Sequence, residues 1–432
     1  MMDRFSGDSQ KPQSFESAAM LTRAENPASA GRLERLKARR KLWLKVHLWL
    51  GLTVGAALVL IGLSGSVMVF WEEIDAWLDR DLTRVEIPAG GAANYRPLSE
   101  IQAAAQAALP PGAEAGRQYY FPQGPGGVFA YWYGIPDPGH GEGSTHTLYV
   151  NPYNAQVTGS RMFYSSGNPF EHSFIGFFFK LHYALLLGKA GVVIVGVLAL
   201  LLLVSVLTGL LVWWPLTGKW RQAFTLKRRA SLERFNFDLH KTSGIYSFLV
   251  LGAVLLSGVY LNLPEPFEWL VLQFSPATRP ASAPPPQSTP KPGARPIGLE
   301  RAAAIAESAY PGGRWNWLKT PAGEKGVYEF SRLDVPGLSR FWSESVLAVD
   351  QYSGAILQVR APDTRLSAGE TFLDWQWPLH SGKAFGWPGR ILVFLAGLAC
   401  PVLYVTGFIR WRQKRRAGQF KKTASFNKPK RA

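Results

Sequence analysis

The chain holds one cysteine, Cys400, among 432 residues. That excludes a disulfide framework and any centre needing several thiolates, such as an iron–sulfur cluster or thiolate-ligated zinc. It also excludes covalent haem c, which requires a CxxCH attachment motif. No G-x-G-x-x-G occurs, so the chain has no dinucleotide-binding turn of that kind. Acidic residues are few: 30 Asp and Glu stand against 47 Lys and Arg, a net charge of +17. Apolar and aromatic residues are plentiful, at 47% and 13% of the chain. Chains that stay disordered lack such mass. A basic chain raises the question of nucleic acid, and the answer depends on where the charge lies.

Four runs are almost uninterruptedly apolar: Val46 to Trp71, Ala190 to Trp214, Ile245 to Leu263 and Ile391 to Trp411. Each reaches the roughly 20 residues needed to cross a ~30 Å hydrocarbon core. Trp71 and Trp213–Trp214 close two of them, as an interfacial aromatic belt requires. The first run follows a polar tail of about 40 residues and lacks a nearby A-x-A site, so it reads as a span rather than a cleaved signal. Segments 1–46, 215–241 and 410–432 hold 27 Lys/Arg and 7 Asp/Glu; the remainder holds 20 and 23. Positive charge therefore sits in alternate segments, the pattern that orients membrane proteins. It predicts cytoplasmic termini, a cytoplasmic loop and two periplasmic loops in a bacterial inner membrane. The charge then needs no nucleic acid, and the tail Arg410 to Arg431 reads as a cytoplasmic anchor at the lipid bilayer.

The sequence is written twice. Leu181-His182, Gly188, Gly191, Thr208-Gly209 and Trp213 recur 198 residues later as Leu379-His380, Gly386, Gly389, Thr406-Gly407 and Trp411. His47, Gly51 and Ser64-Gly65 recur 193 residues later as His240, Gly244 and Ser257-Gly258. Such periodicity marks internal repeats, here of one topology about an axis along the membrane normal. The long loops repeat too. Amphipathic helices open at Pro97 and Gly298, and strand–turn–strand patterns surround Asn151 and Asp350. The expected fold is an α-helical integral membrane protein, with four core transmembrane helices in two same-topology repeats. Each repeat carries a periplasmic α+β module. The expected order is a basic tail (1–42), a span (43–71), a module (72–180), an outer helix and span (181–214), and a basic loop (215–238). A span (239–263), a Pro-rich linker (264–296), a second module (297–378), an outer helix and span (379–411) and a basic tail (412–432) complete it.

Four of seven histidines fall at matched positions: His47 with His240 near the cytoplasmic face, and His182 with His380 near the outer face. Ionisable groups beside a membrane span are functional candidates. Neutral imidazole can bind haem iron axially. Two copies of one helix about an axis can offer two imidazoles to one iron, giving one bis-histidine haem b at each face. Zinc would want four ligands in one place, and two histidines per level leave that shell incomplete. Gly51 and Gly244, one turn beyond His47 and His240, leave space for a flat macrocycle or for close helix packing. Candidate propionate partners are Lys189, Lys383 and Arg390 outside, and Lys45, Arg234 and Lys241 inside; the same residues suit interfacial anchoring. A continuous helix from His182 to Trp213 would run roughly 46 Å, so it either projects outward or breaks near Gly188–Gly191, and the break is expected. His172 has no repeat partner and reads as a surface or substrate-side residue; His140 and His146 read as loop residues. The four [Ser/Thr]-Gly dipeptides read as helix-packing elements, and Pro401 as a kink.

Together these residues resemble the PepSY-associated transmembrane family, which includes iron-regulated membrane proteins and ferrisiderophore reductases. The resemblance covers about residues 40 to 415 and rests on Leu44-Lys45-Val46-His47-Leu48-Trp49-Leu50-Gly51, the Leu-His … Gly-x-x-Gly … Thr-Gly … Trp spans and the paired external modules. It implies haem b on His47, His182, His240 and His380, and electron transfer outward to a ferric siderophore. The long Pro-rich stretch departs from the pattern. The function expected is a haem-dependent ferric reductase served by a separate donor, either a cytoplasmic reductase or quinol. The alternatives are a non-enzymatic sensor or protease inhibitor of PepSY type, and a transporter.

Overall fold

The structure, a computed structural model, describes residues 27–137, 143–166, 168, 171–216, 218–227, 229–276, 284–364 and 367–426. His140 lies outside them. Helices α1 (Pro27–Thr53) and α2 (Gly55–Met68) carry the first apolar run. Expected as one span, the run breaks at Val54, and its two helices diverge by 63°. Three further stretches are long and apolar enough to cross a membrane: α6 (Gly188–Trp213), α7 (Leu232–Asn262) and Lys383–Gln419, which takes in most of α12 (Gly386–Phe426); the bent pair makes up to four spans. The expected break before α6 is present. Helix α5 (Phe174–Ala184) ends at Leu185 and Leu186, both with left-handed backbone (φ 50° and 60°). Asn262 bridges this corner, donating to the carbonyls of Tyr183 and Val192 at 2.8 and 2.9 Å. Helix α12 runs through Pro401 without interruption.

The bundle is apolar outside, and its interior mixes small and polar residues with leucine and valine. On α6, Val193, Val197, Leu200, Leu207 and Leu211 are exposed, whereas Gly191, Gly196, Ala199, Ser205 and Thr208 are buried. This suits lipid, where association comes from close packing and hydrogen bonds rather than from the expulsion of water. The chain is a membrane protein with a separate strand sheet.

That sheet is one body, not two modules. Eight antiparallel strands run in the order β4-β3-β2-β1-β5-β6-β7-β8. Strands β1 (Gln118–Tyr120), β2 (Phe129–Ile135), β3 (Ser144–Val150) and β4 (Val157–Ser165) come from the first loop. Strands β5 (Arg314–Lys319), β6 (Val327–Leu333), β7 (Glu344–Asp350) and β8 (Ile356–Arg360) come from the second. They join edge to edge through Gln118–Lys319, Tyr119–Leu318 and Tyr120–Trp317, which removes two open sheet edges at once. Helices α4 (Leu98–Ala107) and α9 (Leu299–Ala309) cover one face over a shared core that includes Ile101, Tyr131, Phe330 and Leu347. His146 lies on β3, stacked on Tyr133, and is not a loop residue.

Short helices connect sheet and bundle: α3 (Trp71–Leu78), α8 (Pro264–Leu272), α10 (Ala368–Asp374) and α11 (Gln376–Ser381). The segment expected as a free linker is thus helical at first. Its later part is docked on the sheet: Ser288 donates to Gly326 O (2.6 Å), and Thr289 N–H donates to Asp350 (3.0 Å). Backbone amides need such partners once an extended segment is packed down.

Candidate functional site

The four repeat-matched histidines meet in two pairs. The rings of His47 (α1) and His240 (α7) are 6.2 Å apart at their centres; those of His182 (α5) and His380 (α11) are 5.8 Å apart. Ring planes within the pairs are inclined at 67° and 58°. His380 of the second pair meets α7 at Val254 and Ser257, about 21 to 26 Å along that helix from His240 at 1.5 Å per residue. One helix therefore carries a part of both sites.

Each ring is held in the same way by a different helix. The Nδ1–H of His47 donates to Ser205 O (2.9 Å), that of His240 to Leu403 O (3.1 Å), that of His182 to Ile61 O (2.9 Å) and that of His380 to Val254 O (3.0 Å). A carbonyl can only accept, so Nδ1 carries the proton and Nε2 keeps its lone pair. In every case the acceptor lies three residues before the Ser or Thr of a [Ser/Thr]-Gly dipeptide. The hydroxyls of Ser64, Thr208, Ser257 and Thr406 donate back to the same four carbonyls at 2.9 to 3.2 Å. Thr406 Oγ1 and Ser257 Oγ also lie 2.9 Å from Nδ1 of His240 and His380; Ser205 and Ser64 stand at 3.4 Å from His47 and His182.

The glycine of each dipeptide makes room for the ring. A Cβ at Gly65 would lie 2.8 Å from His182 Cε1, at Gly209 3.1 Å from His47 Cε1, at Gly407 3.2 Å from His240 Cε1 and at Gly258 3.6 Å from His380 Cε1. Sequence alone makes these dipeptides helix-packing elements; in the structure they are the seats of the histidines, and no motif marks Ser205, whose carbonyl holds His47. The signal was there in the matched offsets, but only the tertiary fold says which dipeptide meets which ring. Gly51 shows the converse: a Cβ there meets nothing within 4 Å, and at Gly244 only Leu403 at 3.7 Å. Close helix packing is thus not what those two glycines serve.

The basic candidates are largely engaged within the chain. Lys383 pairs with Glu72 (2.8 Å) and Arg390 with Glu73 (2.7 Å), tying α12 and its approach to α3. Arg234 and Lys241 both meet the buried Asp238 at 3.0 Å. Lys189 also has a partner, and Lys45 is exposed. These contacts weaken their reading as propionate partners. Among the described residues no three His, Cys, Asp or Glu side chains gather for a metal ion. Each level offers two imidazole nitrogens, so an iron held there needs its other ligands from a macrocycle. Ring centres 6.2 and 5.8 Å apart would let the two imidazoles of each pair serve one iron. The Nδ1–carbonyl contacts supply the outer tie that metal-bound histidines use.

Residues 44–414 match the family described as PepSY-associated TM region. None of the curated proteins compared with the chain matches it.

Proposed function

Starting from a chain that belongs to the PepSY-associated TM region family, we propose a transmembrane electron-transfer protein that holds two haem b groups and reduces ferric siderophore iron. The supporting observation is the paired, Nδ1-tied histidines, His47 with His240 and His182 with His380, at two levels of one bundle. When bound, haem b supplies a one-electron Fe(III)/Fe(II) couple at each level. The chain's own part is to keep all four imidazoles neutral, turned and basic at Nε2. Each Nδ1–H bond to a helix carbonyl fixes the tautomer, and the seat glycine fixes the ring position.

In this reading the bundle is four spans in two repeats, with both termini cytoplasmic in the bacterial inner membrane and the sheet periplasmic. The matched seats of all four histidines support the duplication. A separate donor, cytoplasmic or quinol, serves the inner pair, and the outer pair serves the acceptor. One electron converts chelated Fe(III) to Fe(II), which hard oxygen ligands hold less tightly.

The test is an absorption spectrum of the purified protein before and after dithionite. A b-type Soret band and a sharpened α band are expected; absence of bound haem overturns the reading. His47→Ala or His240→Ala should remove one haem, and His182→Ala or His380→Ala the other. Loss of both haems from every single change, in protein that still elutes as a folded species, rejects the two-level pairing.

A further inference from the structure

A cavity of about 590 Å³ opens where the end of α3, strand β4 and the start of α5 meet. Its volume falls within the range of small-molecule sites. Leu78, Met162 and Phe174 give it apolar wall, and Asp79, Arg161 and Glu171 give it charge. Arg161 is already met by two carboxylates: Asp75 at 2.6 Å, and Asp79. Two lining carboxylates, Asp79 and Glu171, stand against Arg161; with Asp75 on Arg161 and Lys180 on the Tyr164 ring (3.6 Å) counted as well, the excess is still one negative charge. His172 lines the same cavity and stacks on Tyr164 at 5.2 Å. Ser165 N–H donates to its Nδ1 (3.3 Å), so the neutral ring carries its proton on Nε2, a buried atom.

The cavity is close to the outer histidine pair. His172 precedes Ser173, the cap of α5, and His182 is on that helix. At 1.5 Å per residue His182 lies about 14 Å along the axis from the cap. Phe177 lies between them in sequence, 6.3 Å from the His172 ring. At the matching position of the second loop, Gly369 N–H donates to Ser275 Oγ at 2.9 Å, and a Cβ on Gly369 would stand 3.0 Å from Ser275 Cβ.

We propose that this cavity binds the electron acceptor, a ferric chelate of neutral or positive charge. The proposal rests on the electron-transfer reading above. The carboxylate excess favours a neutral or cationic complex and repels a triply negative tricatecholate. The apolar wall of Leu78, Met162 and Phe174 meets the chelate's aliphatic backbone. With haem held by His182 and His380, the chelated Fe(III) would take up one electron to become Fe(II), the haem couple being oxidised by one electron and re-reduced by the separate donor. No covalent bond forms in that step, and the oxygen ligands then leave the softened centre and take up protons from water.

The experiment uses redox-inert gallium(III) chelates with the full-length protein in detergent, followed by calorimetry. A cationic gallium trihydroxamate should bind, and a gallium tricatecholate should bind at least about tenfold more weakly. Glu171→Gln should narrow that preference, and Met162→Trp, which fills the cavity, should weaken the trihydroxamate about tenfold. No binding by the unaltered protein, equal binding of both chelates, or unchanged affinities in both variants overturns the site. Chelate binding by a protein without haem bands sinks the electron-transfer reading and leaves the site standing.

Discussion

Gly65 and Gly258 both face a histidine ring, at different clearances. A methyl on Gly65 would come within 2.8 Å of His182 Cε1, whereas one on Gly258 stays 3.6 Å from His380 Cε1. Gly65→Ala must push the ring off its seat, and overpacking of this kind costs about 1–3 kcal/mol. Gly258→Ala fits, and it gains the helix preference of Ala, about 0.5–1 kcal/mol. Thermal unfolding in detergent should therefore fall for the first and hold or rise for the second. The hydroxyls invite a parallel test. Thr406 Oγ1 lies 2.9 Å from His240 Nδ1, so Thr406→Val should destabilise by about 0.5–1.5 kcal/mol, and Thr406→Ser should restore it. Nitrogen-15 shifts of His240 should report Nδ1 protonation in the unaltered protein and in the Ser variant; a shift to Nε2 protonation in either would contradict the seat. The sequence displayed every one of these residues. Which helix each dipeptide faces is a long-range property, and no local pattern encodes it.

The elements show where pattern and packing part company. A helix from His182 to Trp213 would be too long for the bilayer unless it projected outward; that arithmetic pointed to a break near Gly188–Gly191, and the structure turns a few residues earlier, at Leu185–Leu186. The break at Val54 had no such signal, because its run has the right length for a single span and contains no proline. The strand–turn–strand units were legible from alternation and turn residues. Their fusion was not, since β1 is three residues long and pairs with β5 across nearly two hundred residues. The β7–β8 turn allows a pH test. Burial alone would push the Asp350 carboxyl upward, but backbone N–H groups of Ser353, Thr289 and Tyr352 outweigh it and hold its pKa at about 2. A carboxyl depressed in the folded state adds stability above its unfolded value, about 3.9, and that share is lost as pH falls from there through about 2. The unfolding midpoint should therefore drop across that window, and Asp350→Asn should flatten the drop. An equally steep drop in the variant would assign the loss to other carboxylates.

At the scale of the molecule, the charge asymmetry, the bent and straight spans and the fused sheet bear on one question: which side of the membrane each part occupies. The basic loop holds Arg229, exposed, and the sheet holds Glu324, exposed in the turn between β5 and β6. Positive charge resists translocation, and only short loops obey that rule strongly. The 215–241 loop is short enough to obey it, and the sheet-bearing loops are not. The orientation therefore depends on the basic loop and tails rather than on the composition of the sheet. Labelling can test this cleanly, because the chain's own cysteine, Cys400, is fully buried in the bundle. In intact spheroplasts, Glu324→Cys should react with a membrane-impermeant maleimide, whereas Arg229→Cys should react only after the membrane is opened. Reaction of both positions from outside would break the alternation. The reverse pattern would place the 182–380 pair on the cytoplasmic side, and the chelate cavity beside it would face the wrong compartment for a periplasmic acceptor.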